Sequence, residues 1–336
     1  MGFLHKGRDC NAAPIHYHGR FDRGEPSMGW QDKLFGGLGH LPFLAASPMA
    51  EAAALARADH DRHGRQPRVF DDPYALTLVN PAYRLLVRPR LGALAGRLTG
   101  FHRTFLAGAA TTLVRSRYTE EALAVAAAAQ GLDQYVILGA GLDSFAWRRP
   151  PALDTVRLFE VDLPAVLADK AARAHRAGLP TPARRTLVPL DLSIPERLPA
   201  ALRTAGFDAG RPALFAWLGV AYYLTPEACC SLIAAVGQCA APGSHFTLDV
   251  LAADAFAAPR LPELLARTRL MAHLFGESLP GGLLLEQLTA PLAQAGFVLA
   301  EQLGPDALAA RYLAGRDDLR EVLPHLHLVH ATRPVS

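Results

Sequence analysis

From residue 134 onward, short β-branched and aromatic runs alternate with helical stretches of ten or more residues, and this alternation constrains the fold more than any other feature of the chain. The runs are QYVIL (134–138), TVRLFEV (155–161), TLVPL (186–190), ALFAWL (213–218) and HFTLDV (245–250). Helical text begins between them near Leu163, Pro195 and Thr225. Strands separated by whole helices do not pair as tight hairpins, so the pattern predicts a mostly parallel sheet covered on both faces. FVLAEQL (297–303), helical PDALAARYLAG (305–315) and LHLVHAT (326–332) supply two further strands. Extra helical text at about 252–285 interrupts the alternation and reads as an inserted lid.

Three helical stretches precede the first strand. MAEAAALARADHDRHG (49–64) is rich in strong helix formers and ends at Gly64. Asp72-Pro73 in RVFDDPYALTLV opens a second, and FLAGAATTLVRSRYTEEALAVAAAAQG (105–131) is the third. Residues 1–48 are rich in Gly, Pro, His and Arg without a sustained period, and are expected to be a poorly ordered extension. Met28 and Met49 offer later starts. The expected organisation is therefore an extension (1–48), an N-terminal helical cap (49–113) and a main α/β domain (114–336) carrying the lid.

Among the 336 residues, 51% are hydrophobic and 19% charged, which excludes a disordered chain. A formal charge of +3, with 34 basic and 31 acidic residues and no long run of either sign, argues against a nucleic-acid partner. The apolar alanine-rich runs break before about eighteen residues, so no membrane-spanning helix is expected. No secretory leader is legible at the N-terminus. Cys10, Cys229, Cys230 and Cys239 lack CxxC spacing and fit unpaired thiols in a cytoplasmic setting.

The first strand runs into GAGLDSFAW (139–147). Gly139 and Gly141, with Ala140 between them, permit a sharp turn and a close approach of backbone to ligand. A dinucleotide site would add a third glycine to bring a helix N-terminus onto a pyrophosphate. Here that position is Phe145 or Ala146, and Asp143 would repel a phosphate while suiting a cation. The second strand carries Glu160 and Asp162 about twenty residues later, where an acid accepts hydrogen bonds from ribose hydroxyls. Asp191 and Leu192 follow the third strand and offer an acceptor and an apolar neighbour for adenine. A nucleoside bearing a cation, without a pyrophosphate, describes S-adenosyl-L-methionine. Its carboxylate needs a basic partner, and Arg115 or Arg117 in RSRY can make a bidentate contact.

The ordered set VFDDPYA, RSRYTEEAL, VILGAGLDSFAWRRP, FEVDLPAVLADK, LDL, FAWLGVAYYLT and LGPDALAARYLAGRDDLR resembles the leucine carboxyl methyltransferase family, in its bacterial branch, over about residues 55–332. The resemblance implies a class I methyltransferase fold, Rossmann-like, with a mostly parallel seven-stranded sheet whose last strand is antiparallel. It implies that Arg117, and secondarily Arg115, holds the methionyl carboxylate, that Gly139 touches the methionyl chain, that Asp162 takes the ribose and that Asp191 with Leu192 takes the adenine. Ala140, Gly141, Asp143, Glu160, Trp217 and Leu218 complete the candidate cofactor set. Leu218 stands where eukaryotic, phosphatase-modifying members have a glutamate, which disfavours a phosphatase tail as substrate. The expected activity is O-methylation, at carboxyl or hydroxyl, of a small and apolar acceptor such as a natural product. Carboxyl methylation of a protein C-terminus, and nucleoside binding without turnover, are the alternatives. A nicotinamide-dependent dehydrogenase is disfavoured by the missing third glycine.

No general base is assigned. Tyr118, Tyr222, Tyr223 and His245 lie near strand ends or on the entry helix, where ordinary packing explains them. No metal site is assigned either: His5, His16 and His18 sit in the extension, and His325, His327 and His330 do not converge along an alternating strand. Phe101, Phe105, Met271 and Phe275 suggest that the cap and lid line an apolar acceptor pocket.

Overall fold

The computed structural model describes residues 48–84, 102–252, 266–267, 270, 283 and 285–335. The expected extension, apart from Pro48, lies outside the described residues, as do nearly all of the expected lid and Phe101, Met271 and Phe275.

Helix α1 (Pro48–His63) ends where Gly64 donates its amide to His60 O. Helix α2 (His102–Gln130) is a 29-residue rod, about 43 Å long at 1.5 Å per residue, and closes at Gly131 in a left-handed conformation. Seven strands follow: β1 (Gln134–Leu138), β2 (Arg157–Asp162), β3 (Arg185–Pro189), β4 (Leu214–Trp217), β5 (His245–Leu251), β6 (Val298–Leu303) and β7 (Leu326–Thr332). Between them lie α3 (Pro164–Arg176), α4 (Leu198–Thr204), α5 (Pro226–Cys239), α6 (Thr289–Gln294) and α7 (Pro305–Tyr312).

The sheet has the order β3-β2-β1-β4-β5-β7-β6. The first five strands run parallel, while β7 inserts antiparallel between β5 and β6. The strand order reverses beside β1, where the chain goes to β2 on one side and β4 on the other. In open α/β sheets that crevice, outside the carboxyl ends of the strands, is where ligands bind.

Central strands are buried on both faces, which is why QYVIL and LFAW read as near-continuous apolar runs, while HFTLDVL alternates polar with apolar residues and is still buried throughout. The largest core layer joins Val136, Leu138, Phe159, Phe215, Trp217 and Phe246 to α4 and α5. Residues from α1 and the following loop pack against Leu142 and Ala174, so this segment is built onto the sheet. Buried charges reinforce the junction: Glu51 pairs with Arg173 and accepts the Asn80 amide, and Arg57 pairs with Asp72 at 2.8 Å.

Candidate functional site

The glycine turn begins where β1 ends. The Gly139 and Ala140 amides both donate to Val161 O, at 2.9 and 3.1 Å, tying the turn to β2. Gly139 and Gly141 have φ of 76° and 43°, the left-handed region that glycine enters without steric cost. A Cβ on Gly139 would overlap Val220 Cγ2, and one on Gly141 would lie 3.6 Å from Ala50 Cβ. The turn is thus flanked by the loop after β4 on one side and by α1 on the other.

Asp162, the last residue of β2, uses both carboxylate oxygens on backbone. Oδ2 accepts from the Gly141 amide at 2.6 Å and Oδ1 from the Leu163 amide at 2.7 Å. Each oxygen keeps a second lone pair for a ligand. Burial raises the Asp162 pKa above the ordinary aspartate value, with the two amides opposing it. Asp143 accepts from the Phe145 amide at 2.7 Å. Burial works against its charge, but Arg148, Lys170 and Arg57 outweigh it and hold its pKa below the usual value. The Gly141 and Phe145 amides, which a phosphate at this turn would need, therefore both face carboxylates.

Opposite the turn, β4 runs into Leu218, Gly219 and Val220. Asp249, fully buried on β5, accepts the Gly219 amide on Oδ1 at 2.6 Å and Arg115 Nη1 on Oδ2 at 2.8 Å. Arg115 Nη1 also donates to the Tyr222 hydroxyl at 3.1 Å. Burial disfavours the guanidinium charge, yet Tyr222 and Asp249 more than compensate, and the Arg115 pKa lies above the ordinary arginine value.

The structure separates the expected site residues into two groups. Gly139, Ala140, Gly141, Asp143 and Asp162 form the turn and its support, while Arg115 from α2 and the half-buried Leu218 adjoin Gly219, in the loop after β4 that flanks it. Asp191 follows β3, exposed, with its carboxylate on the Ser193 amide at 2.8 Å and its pKa lowered by Ser193. Leu192 beside it is buried.

Three residues do other work. Glu160 is fully buried, clamped by Lys170 Nζ at 2.9 Å and Arg185 Nη2 at 2.7 Å. It shares a sheet face with Asp162 but sits one strand period deeper. Trp217 is fully buried in the core, stacked on Phe246 with centroids 6.4 Å apart. Arg117, two residues from Arg115, is turned away. Its Nε donates to Glu121 at 2.7 Å, its Nη1 to Val69 O, and its guanidinium lies 5.3 Å from the Tyr312 ring centroid. Two residues on a helix differ by about 200° in direction, so the pair cannot serve one ligand atom.

Sequence reasoning missed Gly219, Val220 and Asp249. The Asp in HFTLDV was the available signal, an acid on a central strand of the sheet. It also missed a buried network behind the turn. Asp72 Oδ2 accepts from Arg57 and from Ser144 Oγ, at 2.8 and 2.6 Å, and Arg57 Nη2 reaches Leu142 O. Arg148 donates to Ser144 and, bidentately, to Glu120.

Of the residues considered as bases, Tyr222 touches Arg115 and packs its ring 5.2 Å from that of Tyr223. Tyr118 and His245 belong instead to a hydrogen-bonded chain through His330 at the β5–β7 pair. His325 precedes β7 in a left-handed conformation (φ 63°), not on the strand as the alternation predicts.

A model of the leucine carboxyl methyltransferase family matches residues 50–237. A provisionally named S-adenosyl-L-methionine-dependent methyltransferase of Bacillus subtilis, YktD, is 29% identical over 295 residues, 84% of this chain and 96% of its own length. A Mycobacterium bovis protein with the same provisional activity in its name is 36% identical over 223 residues, 65% of this chain and 68% of its own. Among solved structures, a provisionally named methyltransferase from Thermobifida fusca aligns with a TM-score of 0.53 at 17% identity, over 87% of this chain and 97% of that one. A DUF574 family protein from Streptomyces avermitilis aligns at 0.55 and 16%, over 86% and 98%. At those identities the two structures share the fold.

Proposed function

The chain belongs to the leucine carboxyl methyltransferase family, and from that premise we propose that it transfers a methyl group from S-adenosyl-L-methionine to a carboxyl or hydroxyl oxygen of a small acceptor with an apolar body. Family membership and the names of its relatives make it an S-adenosyl-L-methionine-dependent methyltransferase. The observation that carries the cofactor assignment is the occupation of the Gly141 and Phe145 amides by Asp162 and Asp143. Two carboxylates at the turn oppose a pyrophosphate and favour neutral hydroxyls beside a cation.

The residues fit that cofactor. In this reading Asp162 accepts hydrogen bonds from the ribose hydroxyls on its remaining lone pairs, and the Gly139 backbone lies against the methionyl chain. Asp191 and Leu192 take the adenine amino group and ring face. Arg115 holds the methionyl carboxylate, a choice supported by its place beside Gly219 and by the engagement of Arg117 with Glu121 and Tyr312. When bound, the cofactor supplies an electrophilic methyl on a sulfonium. The protein's part is to align the acceptor oxygen and exclude water. A carboxylate acceptor needs no base, whereas a hydroxyl needs a proton acceptor at hand. We assign part of the cover of the acceptor mouth to α1, whose Ala50 lies against Gly141.

Calorimetric titration tests the cofactor. S-adenosylhomocysteine is expected to bind and nicotinamide dinucleotides to give no heat, and the reverse result overturns the reading. Transfer of a labelled methyl group into cell extract then identifies the acceptor. A label released as methanol by mild alkali marks a carboxyl ester, and an alkali-stable label marks an ether. Label held on a non-oxygen atom would overturn O-methylation.

A further inference from the structure

We propose that Asp249 is a positioning residue for the amino-acid tail of the cofactor, fixing the Arg115 guanidinium and the Gly219 peptide in one geometry; the inference rests on the assignment of Arg115 made above. Asp249 is fully buried, 134 residues from Arg115 in sequence, and binds one group with each oxygen. Trp217 pairs with Leu248 across β4 and β5, so the next residue on each strand brings Leu218 alongside Asp249. An acid therefore stands on the strand beside Leu218, behind the site, where it meets Arg115 and Gly219.

The contacts around Arg115 leave it a single orientation. Gly219 has φ of 76°, and a Cβ there would lie 2.6 Å from Arg115 Nη2 and 2.9 Å from Nη1, so only a glycine leaves room for the guanidinium. Nη1 is committed to Asp249 and Tyr222, while Nε and Nη2 have no acceptor among the described residues. With its side chain 14% exposed, Arg115 keeps part of its donor fork open, and Asp249, at 0%, is out of a ligand's reach. A carboxylate that binds the open donors meets a guanidinium already fixed, and an arginine held in place loses less rotamer freedom per bond formed. Asp249 also balances the buried charge, and the cationic groups of the tail offset the added carboxylate.

Calorimetry with two probes separates this role from a purely structural one. S-adenosylhomocysteine carries the amino-acid tail, and methylthioadenosine carries the nucleoside and sulfur without it. Wild type is expected to prefer S-adenosylhomocysteine, and Arg115→Gln to erase the preference. Asp249→Asn, which keeps the size and loses the charge, is expected to weaken S-adenosylhomocysteine on the order of tenfold and to leave methylthioadenosine within about twofold. Gly219→Ala should give the same selective loss by displacing the guanidinium. If both probes weaken together in Asp249→Asn and Gly219→Ala, or if neither variant loses the preference, Asp249 has no positioning role. If Arg115→Gln retains the wild-type preference, the assignment of Arg115 fails and the inference falls with it. Loss in Arg115→Gln with full retention in Asp249→Asn overturns the inference alone.

Discussion

Glu160 lies inside the sheet and Asp162 at its carboxyl edge, two residues further along the same strand and facing the same side. Inside, the carboxylate meets side-chain cations, Lys170 and Arg185, and is closed off from solvent. At the edge, the carboxylate meets backbone amides of Gly141 and Leu163 and keeps unused lone pairs. The arginines divide by partner instead: the more buried Arg115 lies beside Gly219 and Asp249, and the more exposed Arg117 is committed to Glu121 and Tyr312. Residue type thus says little about function in this chain, whereas depth in the sheet and the nature of the partner say much. In β2, the interior acid with charged partners holds the fold, and the edge acid held by backbone is available to a ligand.

The sharpest way to break the contrast is to remove each acid. Glu160→Ala leaves two buried cations without their partner and should lower the unfolding free energy by about 3–5 kcal/mol in denaturant titration. The affinity of the folded variant for S-adenosylhomocysteine should stay near that of wild type. Asp162→Ala should do the opposite, weakening S-adenosylhomocysteine on the order of a hundredfold through lost charge-assisted hydrogen bonds, with a smaller change in stability. If Glu160→Ala selectively lost affinity, or Asp162→Ala only stability, the division by depth would be wrong.

The interior also carries neutral polar groups. The Tyr118 hydroxyl donates to Glu301 at 2.6 Å and lies within hydrogen-bond distance of His330 Nδ1, while His330 Nε2 meets His245 Nδ1 and His245 Nε2 meets Gln130 Oε1. Burial, with His245 adding to it, depresses the His330 pKa from 6.5 to about 4. The folded value lies below the unfolded one, so the stabilisation is complete above about 6.5 and is lost as pH falls towards about 4. Wild type should lose on the order of 2 kcal/mol more than His330→Gln across that window, as read by denaturant titrations at several pH values. Equal slopes would mean that His330 titrates alike in the folded and unfolded states.

Smaller effects test the exposed edge. Asp191→Ala should weaken S-adenosylhomocysteine only about threefold, because an exposed carboxylate exchanges ligand contacts for water contacts. Arg117→Ala should change that affinity by less than about twofold, its partners being those of a surface ion pair. A tenfold loss in Arg117→Ala would move the carboxylate contact from Arg115 to Arg117.

The sheet was legible in the letters because its central strands are short, apolar and spaced by helices. QYVIL matches β1 residue for residue, and LHLVHAT matches β7. The glycine turn and Asp162 were legible too, since a left-handed turn after a strand requires residues few sequences place together. Trp217 was misread because LFAW is buried on both faces and offers no alternation from which to infer depth. Asp249 and the Asp72 network escaped because their partners come from distant segments, Arg115 from α2 and Arg57 from α1. Arg115 and Arg117 could not be told apart until the helix had a defined rotation against the sheet.

The double grip of Asp162 on the Gly141 and Leu163 amides has a consequence for kinetics and calorimetry. A bend already stapled to its neighbouring strand has little conformational freedom left to surrender, so nucleoside capture should proceed as a single concentration-dependent phase, without a slow refolding step. The accompanying heat-capacity change should then scale with the apolar area of the ligand that is covered and not with ordering of the loop.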